Sequence, residues 1–179
     1  MIDPEKFLIS ESEELDLAVL NLENIDVSKI RGGTEIPCQF HEPLKWPPDL
    51  PKVGEFVLFG GFPKSKRLEL AKGHLEFGSL SSGGSEIHSV QMDVITCQIQ
   101  IDQCIIDFDR DGDGFSELPG ISGSPVMIAR QTEGGLTVFD LIGVVFEYHS
   151  GWDVLRVRPV SLIASDGTIL SSVASASDA

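Results

Sequence analysis

One serine of this chain stands in a setting that suits a nucleophile. Ser122 lies between Gly120 and Gly123 in the segment "GISGSPV" at 120–126. Glycines on both sides allow backbone conformations that are closed to other residues, and they leave the hydroxyl uncrowded. Acyl transfer needs such an exposed hydroxyl with backbone N–H groups beside it as an oxyanion hole. A Gly/Ser/Pro turn between two strands explains the same residues without chemistry, and the segment alone leaves both interpretations open.

A serine hydroxyl also needs a base to remove its proton, usually a histidine that a carboxylate orients. Asp16 is the candidate carboxylate, because "LDLAVLNL" at 15–22 surrounds it with apolar residues and a buried charge needs partners. A solvated aspartate at the start of a strand is the other interpretation. The four histidines of the chain all follow Asp16: His41, His74, His88 and His149.

A run of alternating aspartates precedes the serine segment. In "DFDRDGDGFSE" at 107–117, Asp109, Asp111 and Asp113 take the first, third and fifth positions of a calcium-loop register, with glycine at the sixth. The twelfth position, where such a loop has a bidentate glutamate, is a glycine. The sequence therefore leaves a Ca²⁺ site and a solvated acidic loop both open, and it predicts no required cofactor.

The elements that must position these residues are strands. Alternating and β-branched runs recur between Gly/Pro turns, whereas long helical periodicity is absent. The clearest runs are "EFVLFGGFP" at 55–63, "EIHSVQMDVITCQIQI" at 86–101, "LTVFDLIGVVFEYH" at 136–149 and "WDVLRVRP" at 152–159. This pattern predicts an all-β barrel or sandwich, with one or two turns of helix at 159–165.

Length and composition narrow the class of protein. At 179 residues the chain can form one domain or two small barrels, and its net charge of −15 disfavours a nucleic-acid partner. No apolar run approaches the length of about 18 residues that a membrane span needs, and residues 1–17 show no secretory leader. Three cysteines without metal-ligand spacing predict reduced thiols and a cytoplasmic protein, and one disulfide with a free thiol is the alternative that the odd count leaves open.

Several segments together are similar to one protease family. In chain order they are "DLAVLNL" at 16–22, "VGEFVLFGGFP" at 53–63, "GISGSPV" at 120–126, "LIGVVFE" at 141–147 and "VRPVSLI" at 157–163. They resemble, in the same order, segments of trypsin-like serine proteases, HtrA-like members included. The matched segments are those around the catalytic aspartate, before the second barrel, around the Gly-x-Ser-Gly-Gly-Pro serine, and along the substrate-lining and closing strands.

The resemblance implies a fold and a domain division. The fold would be a trypsin-like double β-barrel with an incomplete N-terminal barrel and a complete C-terminal barrel. Residues 1–62 would hold the remainder of the first barrel and the connection, residues 63–170 the second barrel with Ser122, and residues 171–179 a disordered tail.

The resemblance also implies roles for individual residues. Ser122 would be the nucleophile, Asp16 would orient the base, and Gly120 with Ser122 would supply the oxyanion-hole N–H groups. The strand residues that would pair with an extended peptide or protein substrate are Val144, Val145, Phe146 and Glu147. Ser124 departs from the family pattern, since it replaces the second glycine after the serine.

The catalytic histidine is missing from its expected place. In this family the histidine precedes the aspartate, yet none of the 15 residues before Asp16 is a histidine. We therefore expect the base to be encoded upstream, and we expect the chain as given to be a very poor serine hydrolase. The alternative is a pseudo-protease that binds extended peptides without cutting them. An α/β-hydrolase is disfavoured for two reasons. The second glycine of its G-x-S-x-G motif is absent, and the sequence does not show the alternating helices that the fold requires.

Overall fold

The computed structural model describes most of the chain in two compact units. The described residues are 4–22, 43, 45–64, 67–71, 74–77, 79–100, 103–106 and 120–170. Unit 1 comprises residues 1–47 and 163–179, and unit 2 comprises residues 48–162. The acidic run at 107–117 lies outside the described residues.

Unit 1 contains a two-stranded hairpin. A 3₁₀ turn at Pro4–Phe7 leads into β1 (Leu8–Ser12), which pairs antiparallel with β2 (Leu17–Leu20). The Ser10 hydroxyl donates to the Gly167 carbonyl at 2.6 Å, and the Trp46 indole N–H donates to the Ile163 carbonyl at 2.9 Å. These bonds tie the hairpin and the Trp46 segment to residues that follow unit 2 in the chain.

Unit 2 is built on six strands that close into an antiparallel barrel. The strands are β3 (Phe56–Gly61), β7 (Ser85–Val90), β8 (Ile95–Gln98), β10 (Pro125–Gln131), β11 (Thr137–His149) and β12 (Val154–Pro159). Around the barrel their order is β3, β7, β8, β12, β11, β10, and pairing of β10 with β3 closes the ring. A closed sheet leaves no edge along these pairings.

Alternating side chains of these strands fill the barrel. Members of the core are less than 4% exposed, and they include Val57, Phe59, Ile87, Ile95, Cys97, Val126, Ile128, Val145, Leu155 and Val157. Each large apolar side chain that is fully buried contributes about 1.5–3 kcal/mol of transfer free energy. The apolar residues that recur at every second position in the sequence therefore mark strands that have one face in this core.

The described residues of unit 2 also form four shorter strands. They are β4 (Arg67–Ala71), β5 (His74–Phe77), β6 (Leu80–Ser81) and β9 (Ile105–Ile106). β4 and β5 form a hairpin, while β6 pairs with both β3 and β9. A 3₁₀ turn at Val160–Leu162 follows β12, where the sequence predicts one or two helical turns.

The all-β prediction is confirmed, and the described residues include one closed antiparallel β-barrel of six strands. The barrel takes in β3, which precedes residue 63, where the sequence-based division starts its C-terminal barrel. A second, incomplete barrel stays a prediction. Among the described residues there is no helix with the length and apolar character to cross a membrane.

Candidate active site

The Ser122 segment forms a tight turn just before β10. Gly120 and Gly123 have φ angles of +93° and +88°, values that a side chain disfavours. The Ser124 N–H closes the turn by donating to the Ile121 carbonyl at 2.9 Å. Ile121, only 2% exposed, anchors the turn in the barrel core, whereas Ser122 is exposed. The serine is therefore presented to solvent on a fixed backbone.

Two hydrogen bonds hold this turn against β11. The Gly123 N–H donates to the Val145 carbonyl at 2.8 Å, and the Val145 N–H donates to the Ser124 carbonyl at 2.9 Å. The position of Ser122 relative to β11 is consequently set by backbone bonds. This fixed geometry is what a nucleophile and its substrate-lining strand would share.

Two N–H groups of the turn have no acceptor among the described residues. Within the described part of the chain, neither the Gly120 N–H nor the Ser122 N–H donates a hydrogen bond. The left-handed Gly120 also lies against the Lys64 backbone, where an added Cβ would come within 2.8 Å of the Lys64 nitrogen. Because a side chain is excluded there on two grounds, glycine is required at this position. The two available donors are those that the protease resemblance assigns to an oxyanion hole.

The Ser124 side chain fits into the space that Gly61 leaves by having no side chain. Ser124 is 5% exposed, and a Cβ on Gly61 would overlap the Ser124 Oγ. The Ser124 hydroxyl thus occupies the volume that any side chain at position 61 would need. Gly61 on β3 and Ser124 in the Ser122 turn form one packing pair.

This packing pair predicts a non-additive double mutant. We expect Gly61→Ala to lower the free energy of unfolding by about 1–3 kcal/mol, because the new methyl group displaces a buried hydroxyl. In a Ser124→Gly background the same change should cost at least about 1 kcal/mol less, since the overlap is gone. Urea unfolding of the four proteins measures the coupling. Equal costs of Gly61→Ala in both backgrounds would contradict the packing pair.

β11 extends beyond its partner β10. The register of β10 with β11 runs from Gln131↔Thr137 to Pro125↔Val144, and the Ser122 turn then binds Val145. After the bulge at Phe146, residues Glu147–His149 of β11 pair with β12 on one edge, and no described strand covers the other edge. Alternate residues of an antiparallel strand direct N–H and C=O groups to each edge. This edge, which we call the open edge because no described strand pairs with it, begins directly beside the Ser122 turn.

The four predicted substrate-lining residues differ in their surroundings. Val144 pairs with β10 and β12, and Val145 is buried with its backbone groups bound to the Ser122 turn. Phe146 lies at a bulge between Val145 and Glu147. Phe146 and Glu147 border the open edge. The edge thus covers Phe146 and Glu147 of the predicted set and continues to His149.

Charged and aromatic side chains pack on the outer face of this hairpin. The Glu147 carboxylate accepts from Arg156 at 2.6 Å and lies 3.2 Å from Nε2 of His149. The Arg156 and Arg158 guanidinium groups lie 5.1 and 4.0 Å from the centre of the Phe146 ring, within cation–π distance. These contacts order the side chains that border the open edge.

Hydrogen bonds fix the turn that joins β11 to β12. The Tyr148 hydroxyl donates to the Asp153 carboxylate at 2.9 Å, and Gln98 Nε2 donates to the Trp152 and Asp153 carbonyls at 3.0 and 3.2 Å. Asp153 has a φ of +51°, which these bonds hold in place. Burial, and then the hydrogen bond to Asp153, raise the pKa of Tyr148. The phenol therefore stays protonated and acts as a donor.

Asp16 occupies an exposed turn in unit 1. It ends the β1–β2 turn with a φ of +52°, and its N–H donates to the Glu13 carbonyl at 3.3 Å. Of the two interpretations that the sequence leaves open for Asp16, the structure shows the solvated one, because the chain turns at Asp16 and the strand starts only at Leu17. Its role in orienting a base stays a prediction.

The other predicted residues divide between described and undescribed parts. The three aspartates of the candidate calcium loop, Asp109, Asp111 and Asp113, lie outside the described residues, as does His41. His88 is exposed on β7, and His149 is half-buried at the end of β11. Neither His88 nor His149, the two histidines whose side chains the structure describes, hydrogen-bonds to Ser122. Within the ranges that the structure describes, no group of three or more His, Cys, Asp or Glu side chains is placed to hold a metal ion.

Three residues that shape the site were missed in the sequence. Gly61 looks like an ordinary strand-ending glycine, Arg156 like a surface charge, and Trp152 like part of a strand. Only the pair "SG" before Trp152, a turn signal, could have placed that tryptophan in a turn.

Comparisons with protein-family models, with curated proteins and with solved structures give no match to this chain. The resemblance to trypsin-like proteases therefore rests on the segments quoted above.

Proposed function

We propose that this chain is a trypsin-like peptidase domain that binds an extended peptide or protein segment along β11 and presents the Ser122 hydroxyl to it. The closed antiparallel barrel is compatible with this class, since the chymotrypsin-type triad stands on β-barrels. Fold alone does not imply function, so the proposal depends on the site.

The observation that carries the proposal is the open edge at 146–149 beside the exposed serine. An extended backbone is the ligand that can pair with such an edge, adding itself as a strand. Its hydrogen bonds would hold the peptide beside the Ser122 turn, which is itself bonded to Val145. The edge would thus supply a binding register and the hydroxyl a nucleophile, two of the three things that a serine peptidase needs; the third is a base.

The chemistry would follow from the turn. The Ser122 oxygen would bond to the peptide carbonyl carbon, its proton would pass to a base, and the amine would leave with a proton. The available N–H groups of Gly120 and Ser122 would stabilise the oxyanion, an effect worth about 3–4 kcal/mol per donor in comparable sites. Asp16 would orient the base, as the resemblance implies.

A second candidate is a binding module that holds extended peptides without cutting them. It is favoured by the finding that neither His88 nor His149, the two histidines with described side chains, bonds to Ser122. Without a base, a serine hydroxyl is a weak nucleophile. The open edge of β11 would still bind a peptide backbone in this case.

One experiment separates these candidates. A fluorophosphonate probe is incubated with the native chain, with Ser122→Ala and with Ser150→Ala, an exposed turn serine that serves as the matched control. Amide chemical shifts are followed in parallel while a capped peptide of alternating threonine and valine is added. We expect slow labelling that Ser122→Ala abolishes and Ser150→Ala preserves, and amide shifts at 146–149.

Each outcome has a clear meaning. Amide shifts at 146–149 without Ser122-dependent labelling would favour the binding module over the peptidase. Labelling that survives Ser122→Ala would remove Ser122 as the nucleophile. A folded chain that shows neither labelling nor shifts would overturn both candidates.

A further inference from the structure

Trp152 is an exposed aromatic side chain on a rigid backbone. It is 77% exposed, although the Gln98 amide binds its carbonyl and its N–H donates to the His149 carbonyl at 3.2 Å. A large side chain that is held still in solvent loses little conformational freedom when a ligand covers it. Tryptophans in such settings are common binding anchors.

Trp152 adjoins the open edge of β11. Its ring centre lies 6.3 Å from that of His149, and His149 contacts Glu147 two residues earlier on the same strand. Residues two apart on a strand share a face, and Tyr148 between them packs toward the core. Glu147, His149 and Trp152 therefore form a row along the outer face of the hairpin. A strand added to the open edge would place every second side chain on that face, beside this row.

Charge favours a cationic side chain in this position. The chain has a net charge of −15, which attracts cations over long range and repels anions. Glu147 already binds Arg156 from the β12 side, and the Arg156 guanidinium lies over the Phe146 ring. The other carboxylate oxygen of Glu147 lies 3.2 Å from Nε2 of His149. A lysine or arginine that enters from the open edge would share this carboxylate with these two neighbours, and the exposed Trp152 face would contact its stem and its charge.

Resting on the proposed peptide site, we propose that Glu147 and Trp152 form a subsite for a lysine or arginine side chain of the bound peptide. Trp152 supplies a cation–π face and a surface for the methylene stem, and Glu147 supplies the opposite charge. The two residues select among peptides, while the edge of β11 binds any extended backbone.

The test compares peptides that differ only in charge or in polarity. Three capped peptides of alternating threonine and valine carry one central arginine, citrulline or leucine, and their affinities for the full chain are measured by calorimetry. Citrulline keeps the shape of arginine and removes its charge. We expect the arginine peptide to bind roughly 5- to 20-fold more tightly than the citrulline peptide, from one exposed cation–π contact and one surface ion pair.

Variants locate the preference. Trp152→Leu and Glu147→Gln should each reduce the arginine preference to below about 3-fold, because each removes one of the two contacts. Glu133→Gln, which removes a charge from an exposed turn elsewhere in unit 2, should leave it unchanged. In a Trp46→Phe background Trp152 is the single tryptophan, so quenching of its fluorescence by the peptide reports contact directly.

The outcomes distinguish the subsite from the peptide site. Equal affinity for the arginine and citrulline peptides would overturn the cationic subsite, as would tighter binding of the leucine peptide. A preference that persists in Trp152→Leu would place the subsite elsewhere. If none of the peptides binds the native chain, the proposed function fails, and the subsite fails with it.

Discussion

Replacing Gly143 with alanine is expected to lower the free energy of unfolding of the barrel by about 3 kcal/mol. Gly143 lies in β11 between β10 and β12, opposite Val126 on one side and Pro159 on the other. A Cβ there would overlap Val157 Cγ1 and would come within 2.6 Å of the Arg158 carbonyl oxygen. Since one of these atoms is backbone in a paired strand, the strands would have to separate.

A matched glycine provides the control for this prediction. Gly134 lies in the turn between β10 and β11, and its added Cβ would meet only Thr132 Oγ1, at 3.9 Å. Gly134→Ala should therefore leave stability unchanged or raise it by up to about 1 kcal/mol. Urea unfolding measures both variants. Coincident unfolding midpoints would show that the seam between β11 and β12 tolerates a side chain, against this prediction.

Truncating Leu155 is the second large effect we expect. Leu155 lies on β12, is 1% exposed and belongs to the barrel core. Leu155→Ala should lower the free energy of unfolding by about 2–5 kcal/mol, because it removes buried methyl groups and leaves a cavity. Leu136→Ala, at a position 71% exposed, should change stability by less than about 0.5 kcal/mol.

The buried thiol next to Leu155 gives an independent measurement. Cys97 pairs with Leu155 across β8 and β12 and is fully buried, and burial raises the pKa of its thiol to about 12. The folded protein thus protects Cys97 as a neutral, inaccessible thiol at mildly alkaline pH. Alkylation of Cys97, followed by mass spectrometry, should become faster in Leu155→Ala and not in Leu136→Ala. Unchanged protection in Leu155→Ala would mean that the core does not open more readily.

The strands of the barrel could be predicted from the sequence because each has one buried face. In "EFVLFGGFP" the buried Val57 and Phe59 alternate with the exposed Phe56 and Leu58, so the period of two is visible in the letters. The long run at 136–149 likewise became the single strand β11. Turn residues at 133–135 marked the link from β10 to β11, where Gly135 has a φ of +77°.

The pairing partners could not be predicted in the same way. Val126 on β10 pairs with Phe59 on β3, far earlier in the chain, and this contact closes the barrel. Alternation shows which face of a strand is buried, but it does not show which strand lies beside it. The overlap of Gly61 with Ser124 depends on that closure, so it too was hidden in the sequence.

The candidate site also has features that the sequence predicts and features that it does not. The glycines around Ser122 indicated an exposed serine in a tight turn, because the positive φ angles of Gly120 and Gly123 are a local requirement. For Asp16 the sequence left burial and exposure both open, since its neighbours are apolar, and its exposure follows from the turn that the chain makes at Asp16 itself. Convergence of the Asp16 carboxylate with the Ser122 hydroxyl stays a prediction.

By itself the sequence determined that this protein is built of strands with one buried face and that it presents a serine in a glycine-flanked turn. Both are properties of short segments, where side-chain alternation and backbone freedom act over a few residues. Only the tertiary structure decided that β11 extends past β10 and that its open edge lies beside Ser122. It also placed Trp152 next to that edge. These features arise from pairings between distant segments, which no local pattern of residues specifies.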